Sequence, residues 1–390
     1  MVDVARRERL RTLMREEGYD TLICRLPEHV VYLTDHWPHH GFSVAIFTRE
    51  GYAGLLVPEI EQDYADPTWA EVIPFGWGLL KDTDLYVSYR KHLLRLRDRL
   101  GLHRAVIGIE RSSEIIAPTY RHAEPVVPAA PWYALLRDVF PEATLKDADD
   151  LLARSRAIKT AYELERIRIA NEIAALGLAR LKELATPGRT EAEVGAAIEA
   201  EIRARGVGYR GARLVRASAE VNAGPEGSYK GYLLVPSTSR VIREGDWVMV
   251  ELATVVDGYW SDLTRMAVAG EPSPRQREVY ELIRKAQRAA IESLRPGVPA
   301  EEVDAAARKT IREAGYGDYF VHITGHGVGY RYHELIPLLA PGVRMPLEAG
   351  MVCTVEPGIY IPGFGGVRIE DNVAVTANGP QILSIAPYAL

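Results

Sequence analysis

A segment in the middle of this chain occurs a second time, without a gap, further along the sequence. The run PGRTEAEVGAAIEAEIRARGVG begins at Pro187, and PGVPAEEVDAAARKTIREAGYG begins at Pro296. Both copies start with Pro-Gly, stop at Gly-x-Gly and share Glu, Val, Ala, Ile and Arg positions in between. Such a match indicates a duplicated structural unit. The sequence therefore predicts two similar α+β halves that face each other across a pseudo-two-fold axis, with a functional cleft between them.

The first 150 residues follow a different pattern, in which helices alternate with apolar strands. Apolar runs of strand length lie at residues 19–25, 44–47 and 105–109, with charged helices between them. This alternation is typical of an α/β domain, which we place at residues 1–150. A long amphipathic helix over residues 160–185 then opens a second domain, which we place at 151–390. Two domains also agree with the length of 390 residues, which exceeds the size of most single cores.

The charge distribution argues against several classes of partner. The chain has 47 basic and 53 acidic residues, with a formal net charge of -6 and both signs interspersed. Binding to nucleic acid requires a basic stripe that neutralises phosphates, so we expect no nucleic acid partner. The N-terminus is a charged amphipathic helix, and no apolar run is long enough to cross a bilayer. We therefore expect a cytoplasmic protein with no membrane partner.

The two cysteines, Cys24 and Cys353, lie in different halves of the chain, each inside an apolar run. Buried, unpaired thiols are typical of proteins from reducing compartments. We expect both cysteines to be packed in the core without a disulfide bond.

A β-hairpin is predicted over residues 247–265, WVMVELATVVDGYWSDLTR. Its two β-rich runs flank an Asp-Gly pair at 257–258, which is favoured in two-residue hairpin loops. This register pairs Ala253 with Asp262 and makes Glu251 a diagonal neighbour of Asp262 on one face. Two buried carboxylates at that separation repel each other unless a cation lies between them. A metal ion is the simplest candidate, and a pair of solvated acids on the strand face is the alternative.

A second hairpin is predicted near the end of the chain, in VCTVEPGIYIPGFGGVRIEDNVAV. A turn in its Pro/Gly-rich centre would place Glu356 and Glu370 opposite each other. Between the hairpins, HITGHGVGYRYHE contains three of the 10 histidines, His322, His326 and His333. One imidazole with four carboxylates is an oxygen-rich set that suits Mn²⁺, Co²⁺, Fe²⁺ or Zn²⁺. The four negative charges would balance two divalent ions.

Some of these residues also have a structural interpretation. His326 could be a core histidine, and packing behind the site explains His322 and His333 as well as a functional role does. Arg368 lies two positions before Glu370 on the same strand face. It could pair with a ligand carboxylate or clamp a substrate carboxylate.

Together these motifs resemble the M24 metallopeptidase family, in particular its prolidase and aminopeptidase P branch. PEHVVYLTDHWP resembles the motif of the N-terminal domain, and LLARSRAIKTAYELERIRIA resembles the domain junction. GHGVG, VEPGIY and GGVRIEDNV resemble the catalytic strands. The resemblance covers essentially the whole chain. It implies an α/β creatinase-like N-terminal domain, an α+β pita-bread catalytic domain with internal duplication, and a homodimer that hydrolyses Xaa-Pro bonds in short proline-containing peptides.

The resemblance also implies a centre with two divalent metal ions, Mn, Co or Zn. Its ligands would be five residues of the two hairpins and the His-rich run: Glu251, Asp262, His326, Glu356 and Glu370. Asp262 and Glu370 would bridge the ions, Glu251 would bind one, and His326 and Glu356 would bind the other, with an activated water between them.

Catalytic roles follow from the same resemblance. Glu356 would shuttle the proton, and His322, His333 and Arg368 would orient the substrate.

This chain departs from the family pattern in two places. Glu251 stands where the family has Asp, so its carboxylate is moved by about an ångström or more. The family also has a histidine about seventeen residues earlier, where this chain has Leu234, and no histidine lies between His122 and His322. Loss of a donor to the developing oxyanion often costs about 10²- to 10³-fold in rate. The nearest polar side chains that could replace it are Tyr229, Lys230 and Tyr232.

Two alternative functions remain for the same fold. Relatives of the creatinase and ectoine hydrolase type cleave non-peptide C–N bonds and can work without metals, in which case Glu251 could be an acid, base or nucleophile. The four other retained ligand positions argue against this. A non-catalytic binding protein on the same fold predicts several lost ligands, whereas only one is altered.

Overall fold

We analysed a computed structural model that describes residues 2–39, 41–76, 84–111, 130–233, 235–388 and 390. The chain divides into two compact units, Met1–Arg156 and Ala157–Leu390. The junction between the units follows closely on the boundary that the sequence predicted after residue 150.

The first unit contains a six-stranded mixed sheet among its described residues, in the order β4-β3-β2-β1-β5-β6. The strands are β1 (Thr21–Cys24), β2 (Val44–Thr48), β3 (Ala53–Pro58), β4 (Glu71–Phe75), β5 (Val106–Ile109) and β6 (Thr144–Asp147). The helices are α1 (Val4–Glu17), α2 (Pro27–Thr34), α3 (Leu85–Leu100), α4 (Ala130–Val139) and α5 (Asp149–Ala157). The apolar runs became buried strands, because β1, β2 and β3 are buried along their whole length. The predicted α/β class of this domain is confirmed.

The second unit contains two larger antiparallel sheets and two helix pairs. Its helices are α6 (Ala161–Leu178), α7 (Leu181–Leu184), α8 (Glu191–Gly206), α9 (Gly224–Gly227), α10 (Pro274–Ser293) and α11 (Ala300–Glu313). Its strands are β7 (Val215–Ala223), β8 (Trp247–Val256), β9 (Tyr259–Val268), β10 (Gly325–Gly327), β11 (Glu334–Leu339), β12 (Val352–Val355), β13 (Gly358–Ile361), β14 (Gly365–Arg368), β15 (Asp371–Thr376) and β16 (Gly379–Ile382). In the first unit, short 3₁₀ turns lie at Glu59–Tyr64 and Leu102–Arg104. In the second unit, they lie at Tyr209–Gly211, Ser228–Leu233 and Gly317–Tyr319.

The duplicated sequence forms equivalent structures. In the first half, α6 and α8 precede the sheet β7-β8-β9, and in the second half, α10 and α11 precede the sheet β11-β10-β12-β15-β16. Thr190 and Glu193 form a reciprocal capping box that starts α8. The repeat in α11 instead begins after Pro299, with no side-chain cap. The two predicted α+β halves are therefore present, although their helix starts differ.

The long helix predicted over residues 160–185 is interrupted. α6 ends at Leu178, and a turn separates it from the single turn of α7. Just before the break, α6 packs closely against α8 at Gly177. A Cβ atom at this position would lie 2.7 Å from the side chain of Ile202, so only glycine fits without a shift. The predicted amphipathic pattern continued through this turn, which is why the pattern alone did not show the interruption.

The hairpin of β8 and β9 is buried along both strands, and its two faces contribute to different apolar clusters. Val248 and Val250 pack with α6 and α8, whereas Trp247 and Met249 pack with α10 and α11. Alternate side chains of a strand point to opposite faces, so this hairpin separates the two cores. Any charged residue within it is removed from water and needs a compensating partner.

Both cysteines are buried and free, as predicted. Across the described part of the chain, none of the helices combines the length and apolar character that a membrane span requires.

Candidate metal centre

The first predicted hairpin forms in the predicted register. Val256 pairs with Tyr259, Ala253 with Asp262, and Glu251 with Thr264. The two loop residues at 257–258 have φ values of 50° and 89°, as a tight turn between twisted strands requires. Glu251 and Asp262 are 4% and 1% exposed, so they are not solvated acids on a strand face.

The second predicted hairpin also forms, as two short ladders in one continuous register. Gly358 pairs with Arg368 in the outer ladder, and Val355 pairs with Asp371 in the inner ladder. Glu356 and Glu370 lie at the break between these ladders, opposite each other as predicted. Both side chains are thus directed by backbone that is fixed on either side of them.

His326 reaches the carboxylates from the short strand β10. Its Nε2 lies 3.2 Å from Glu356 Oε1 and 3.5 Å from Asp262 Oδ2. Its Nδ1 lies 2.9 Å from the carbonyl oxygen of Gly327, which can only accept a hydrogen bond. Nδ1 therefore carries the proton, and the lone pair of Nε2 faces the carboxylates, which is the usual arrangement of a metal-ligating histidine.

Glycines on both sides of His326 allow this strand to pack closely. A Cβ atom on Gly325 would lie 2.0 Å from the carbonyl oxygen of Thr354, and one on Gly327 would lie 2.3 Å from that of Ile336. Neither backbone oxygen can move without breaking its sheet. The GHG motif therefore gives His326 its position.

Six potential ligands converge in three overlapping groups, within each of which the ligand atoms lie within 4.8 Å of one another. The groups are Asp262, His326 and His333; His326, Glu356 and Glu370; and Glu251, Asp262 and Glu370. All five predicted ligands are present, and His333 joins them because its Nε2 lies 3.7 Å from Asp262 Oδ2. Glu370 Oε1 is buried with no hydrogen-bond partner among the described residues. Four buried carboxylates with such an oxygen fit a divalent cation.

The electrostatics show how strongly the carboxylates repel one another. Burial and the neighbouring Glu356 and Glu251 raise the pKa of Glu370 well above its ordinary value. Burial is the largest single influence on Glu356 and acts to raise its pKa, but His326, His322 and Arg368 together outweigh burial and lower it. A divalent cation at this position would remove the repulsion and keep all four groups ionised.

Arg368 is buried and makes its contacts within the protein. Its guanidinium forms an ion pair with Glu251, and Nε donates to Thr264 Oγ1 at 2.8 Å. Nη1 donates to the Tyr360 hydroxyl at 3.0 Å. Although burial alone would lower the pKa of Arg368, Tyr360 and the carboxylates raise it well above its ordinary value. Of the two roles considered from sequence, these contacts favour the ion pair with a ligand carboxylate.

His322 lies beside the centre rather than in it. Its Nδ1 lies 2.7 Å from the carbonyl oxygen of Ile323, and its Nε2 lies 3.0 Å from the Tyr360 hydroxyl. Because Nδ1 must donate to the carbonyl, Nε2 accepts from Tyr360, which in turn accepts from Arg368. Burial lowers the pKa of His322, so the neutral imidazole required by this chain of hydrogen bonds is favoured.

Sequence analysis missed the part played by Tyr332. Its hydroxyl donates to Glu251 Oε1, and its ring lies 4.2 Å from that of His333 between centroids. The only signal was its position next to His333 in the sequence. Leu234, where the family has a histidine, lies outside the described residues. Of the candidate replacements, Tyr232 packs on Tyr360 with ring centroids 5.1 Å apart.

The first unit contains another group of potential ligands, Cys24, His29 and Glu110. The oxygens of Glu110 accept the backbone N–H groups of Arg25 and Leu26, at 2.7 and 2.9 Å, and Oε1 lies 2.6 Å from His29 Nδ1. These contacts satisfy the backbone N–H groups of the two residues that immediately precede α2. We interpret this group as a structural cap of the helix.

An α/β unit followed by a duplicated α+β unit with a carboxylate-rich centre defines a pita-bread metallohydrolase. The model of the creatinase/prolidase N-terminal domain matches residues 6–158, and that of metallopeptidase family M24 matches residues 165–377. The chain therefore belongs to metallopeptidase family M24.

Relatives match over nearly the full length of this chain. A Pyrococcus furiosus protein named Xaa-Pro dipeptidase is 33% identical over 383 residues, which cover 97% of each chain. The structure of an Xaa-Pro dipeptidase from Bacillus anthracis matches with a TM-score of 0.79 at 28% identity, over 99% of this chain and 98% of the other. That of an X-Pro aminopeptidase from Thermotoga maritima matches with a TM-score of 0.79 at 25% identity, over 100% and 99%.

Proposed function

We propose that this protein hydrolyses Xaa-Pro peptide bonds in short peptides with the help of divalent metal ions. The observation that carries the proposal is the convergence of Asp262, His326, Glu356 and Glu370 in overlapping groups, within each of which the ligand atoms lie within 4.8 Å of one another. The names of the relatives support the substrate class, because dipeptidases and aminopeptidases for Xaa-Pro bonds are found at full-length coverage.

The centre is proposed to hold two ions, Mn, Co or Zn, since four carboxylates balance two divalent charges. Asp262, His326 and Glu370 each belong to two ligand groups. Because a carboxylate has two oxygens and imidazole Nε2 has a single lone pair, Asp262 and Glu370 would be the ligands that the two ions share. Glu251 is proposed as a ligand of one ion, and His326 and Glu356 as ligands of the other. When bound, the ions would activate a water molecule and polarise the scissile carbonyl group.

Glu356 is the proposed proton carrier. Its side chain is 13% exposed, more than those of Glu251 at 5% and Asp262 at 1%, so it is the carboxylate best able to meet a substrate. His326 lowers its pKa, which keeps it ionised at neutral pH and able to accept a proton from the attacking water. The same group would then donate that proton to the departing proline nitrogen.

Three further residues are proposed to orient the substrate. His333 Nε2 lies 3.7 Å from Asp262 Oδ2, and we expect it to donate to the scissile carbonyl oxygen. His322 and Arg368 are linked through the Tyr360 hydroxyl, so they would orient the substrate indirectly, through that hydroxyl. Arg368 would also influence the centre through its ion pair with Glu251.

The test is hydrolysis of an Xaa-Pro dipeptide by protein stripped of metal and then reloaded with Mn²⁺, Co²⁺ or Zn²⁺. We expect activity only after reloading, and a loss of at least about 10³-fold in kcat for Glu356→Gln, since a general base and a ligand change together. Glu348→Gln, on an exposed side chain of the same unit, is the matched control.

Creatine and ectoine serve as comparison substrates in the same assay. Hydrolysis of either without metal, and none of the dipeptide, would move the assignment to a metal-free C–N hydrolase. Inactivity on all three substrates in every metal state would favour a binding protein.

We also propose that the protein acts as a homodimer in the cytoplasm. Two buried, unpaired thiols support a reducing compartment. Light scattering coupled to size-exclusion chromatography would test the dimer, for which a mass near twice 43.3 kDa is expected.

A further inference from the structure

The carboxylate of Glu251 is engaged by protein donors on both of its oxygens. Oε2 forms the ion pair with Arg368 and lies 2.8 Å from Thr264 Oγ1, and Oε1 accepts from the Tyr332 hydroxyl. The opposite carboxylate, Glu370, has an oxygen with no such partner among the described residues. The two sides of the centre therefore differ in how freely they can offer oxygen to a cation.

The lone-pair positions of Glu251 that already have protein donors describe this difference. A carboxylate has about four lone-pair positions, two on each oxygen. On Glu251, Arg368 occupies a position of Oε2 and Tyr332 occupies a position of Oε1. The single hydrogen of the Thr264 hydroxyl is shared, because Oγ1 lies 2.8 Å from Oε2 of both Glu251 and Glu370. A metal ion that binds Oε1 of Glu251 would lie directly beside the Tyr332 hydroxyl. Arg368 adds a buried positive charge next to the same group, which further disfavours a cation.

The contact depends on the length of the Glu251 side chain and on the aromatic residue before His333. Tyr332 is 2% exposed, and its ring stacks between Trp260, at 5.9 Å, and His333, at 4.2 Å between centroids. These two tilted ring contacts and the burial of the side chain restrict the ring, so the hydroxyl has little freedom to move away from the carboxylate. Tyr332 and Glu251 thus act as a matched pair.

We infer that Tyr332 controls the filling of the second metal position, because its hydroxyl competes with the metal ion for Oε1 of Glu251. The position concerned is the one on the Glu251 side of the centre, opposite His326 and Glu356. This inference rests on the proposed metal centre and names a residue that tunes one of its positions. Removal of the hydroxyl takes away this competitor and strengthens binding at that position.

Titration calorimetry of the metal-stripped full chain with Mn²⁺ tests the inference. For the unaltered protein we expect two binding steps whose dissociation constants differ by at least about tenfold, the scale on which outer hydrogen bonds tune metal affinity. Tyr332→Phe should tighten the second step by about tenfold and leave the first step nearly unchanged. Tyr316→Phe is the matched control and should change neither step. Tyr316 is a partly buried tyrosine that packs against the apolar cluster of α10 and α11.

Electron paramagnetic resonance gives a second measurement that does not depend on turnover. An isolated Mn²⁺ ion gives a six-line spectrum, whereas two neighbouring ions give a broadened, coupled spectrum. In Tyr332→Phe the coupled spectrum should develop at a lower manganese concentration than in the unaltered protein. Glu251→Asp, which withdraws the carboxylate from Tyr332 by one methylene, should shift the spectrum in the same direction.

Other outcomes separate this inference from the proposed function. Two equal binding steps in the unaltered protein, or no change on Tyr332→Phe, would overturn the inference and leave the metal centre intact. A weaker second step in Tyr332→Phe would also overturn it, because Tyr332 would then orient Glu251 as a ligand. If the unaltered protein binds no ion under any condition, both the inference and the proposed function fail.

Discussion

Arg368 shows how one side chain balances the charges of this centre. It is a buried guanidinium that contacts Glu251, Thr264 and Tyr360, so its positive charge offsets one of four carboxylates without any metal. The planar fork of arginine can serve these partners at once, which the single ammonium of lysine cannot.

Replacement of Arg368 by Ala should therefore destabilise the metal-stripped protein strongly. The loss leaves Glu251 buried without its cation, a change that costs about 3–5 kcal/mol in free energy of unfolding. Urea unfolding of the stripped protein measures this. Arg368→Lys keeps the charge and should cost less, and equal effects of both substitutions would show that packing, and not charge, dominates at this position.

Glu110 provides a pH-dependent contribution to stability in the first unit. Burial raises its pKa to about 8, and the nearby Glu28 and Asp149 act in the same direction, although the backbone donors of Arg25 and Leu26 oppose it. A carboxyl group whose pKa is higher in the folded state than in the unfolded state takes up a proton on folding. Its contribution is complete below about pH 4.5 and is lost as the pH rises towards 8.

We therefore expect Glu110→Gln to reduce the fall in free energy of unfolding between pH 5 and 8, relative to the unaltered chain. At acid pH the amide should lower stability, because one backbone N–H just before α2 loses its acceptor. Denaturant unfolding at several pH values provides the comparison. Parallel pH profiles for the two proteins would contradict the assignment.

Sequence analysis identified the converging carboxylates but not Tyr332. The positions of Glu251 and Asp262 follow from strand register, which the Asp-Gly turn determines locally. The position of Tyr332 depends on contacts distant in sequence, such as the hydrogen bond from Trp260 N to Gly329 O at 2.7 Å and the ion pair of Lys159 with Glu334. Such contacts are not encoded in a local pattern.

At the scale of elements, β9 and β15 are joined by a pair of reciprocal hydrogen bonds. Asn372 Nδ2 donates to the carbonyl oxygen of Asp262 at 2.7 Å, and Asp262 N donates to Asn372 Oδ1 at 3.1 Å. These bonds fix the two strands that present Asp262 and Glu370. The Asn372 carboxamide serves both partners, because its NH₂ group donates to the backbone carbonyl oxygen while its own oxygen accepts from the backbone N–H group.

Asn372→Asp should separate these strands, because a carboxylate oxygen would then face the carbonyl oxygen of Asp262. We expect the metal affinity to fall by about 10- to 100-fold, the range seen when outer partners of ligands are removed. Calorimetry with Mn²⁺ measures the change. Asn378→Asp, on the exposed turn between β15 and β16, is the control. Similar losses of metal affinity in both variants would exclude a specific role for Asn372.

Local elements were predictable where the chain has its own start and stop signals. The capping box of α8 and both functional hairpins formed as expected. The break between α6 and α7 was not predictable, because it accompanies the close packing of Gly177 on α8, which depends on another element.

At the scale of the whole molecule, all six converging ligands belong to the unit Ala157–Leu390. Ligand binding stabilises the folded state to which the ligand binds, by about 2.7 kcal/mol when its concentration is 100 times the dissociation constant. Hydrogen exchange with and without Mn²⁺ should therefore show increased protection in β8, β9, β10 and β15. An equal increase across the strands β1–β6 would contradict this expectation.

The fold class was predictable at this scale because the repeat is visible in the sequence. How the two copies differ was not predictable from the repeat. The first half contributes Glu251 and Asp262, whereas the second contributes His326, Glu356 and Glu370.

The covalent link between the two halves has an evolutionary consequence. An ancestor of half the length of the unit Ala157–Leu390 could have built such a site only by pairing with a second copy. Each substitution would then have appeared twice in the symmetric assembly. Joining the copies in one chain removed that constraint. A longer acid at position 251, or a proline in place of a helix cap at 299, could then arise on one side alone.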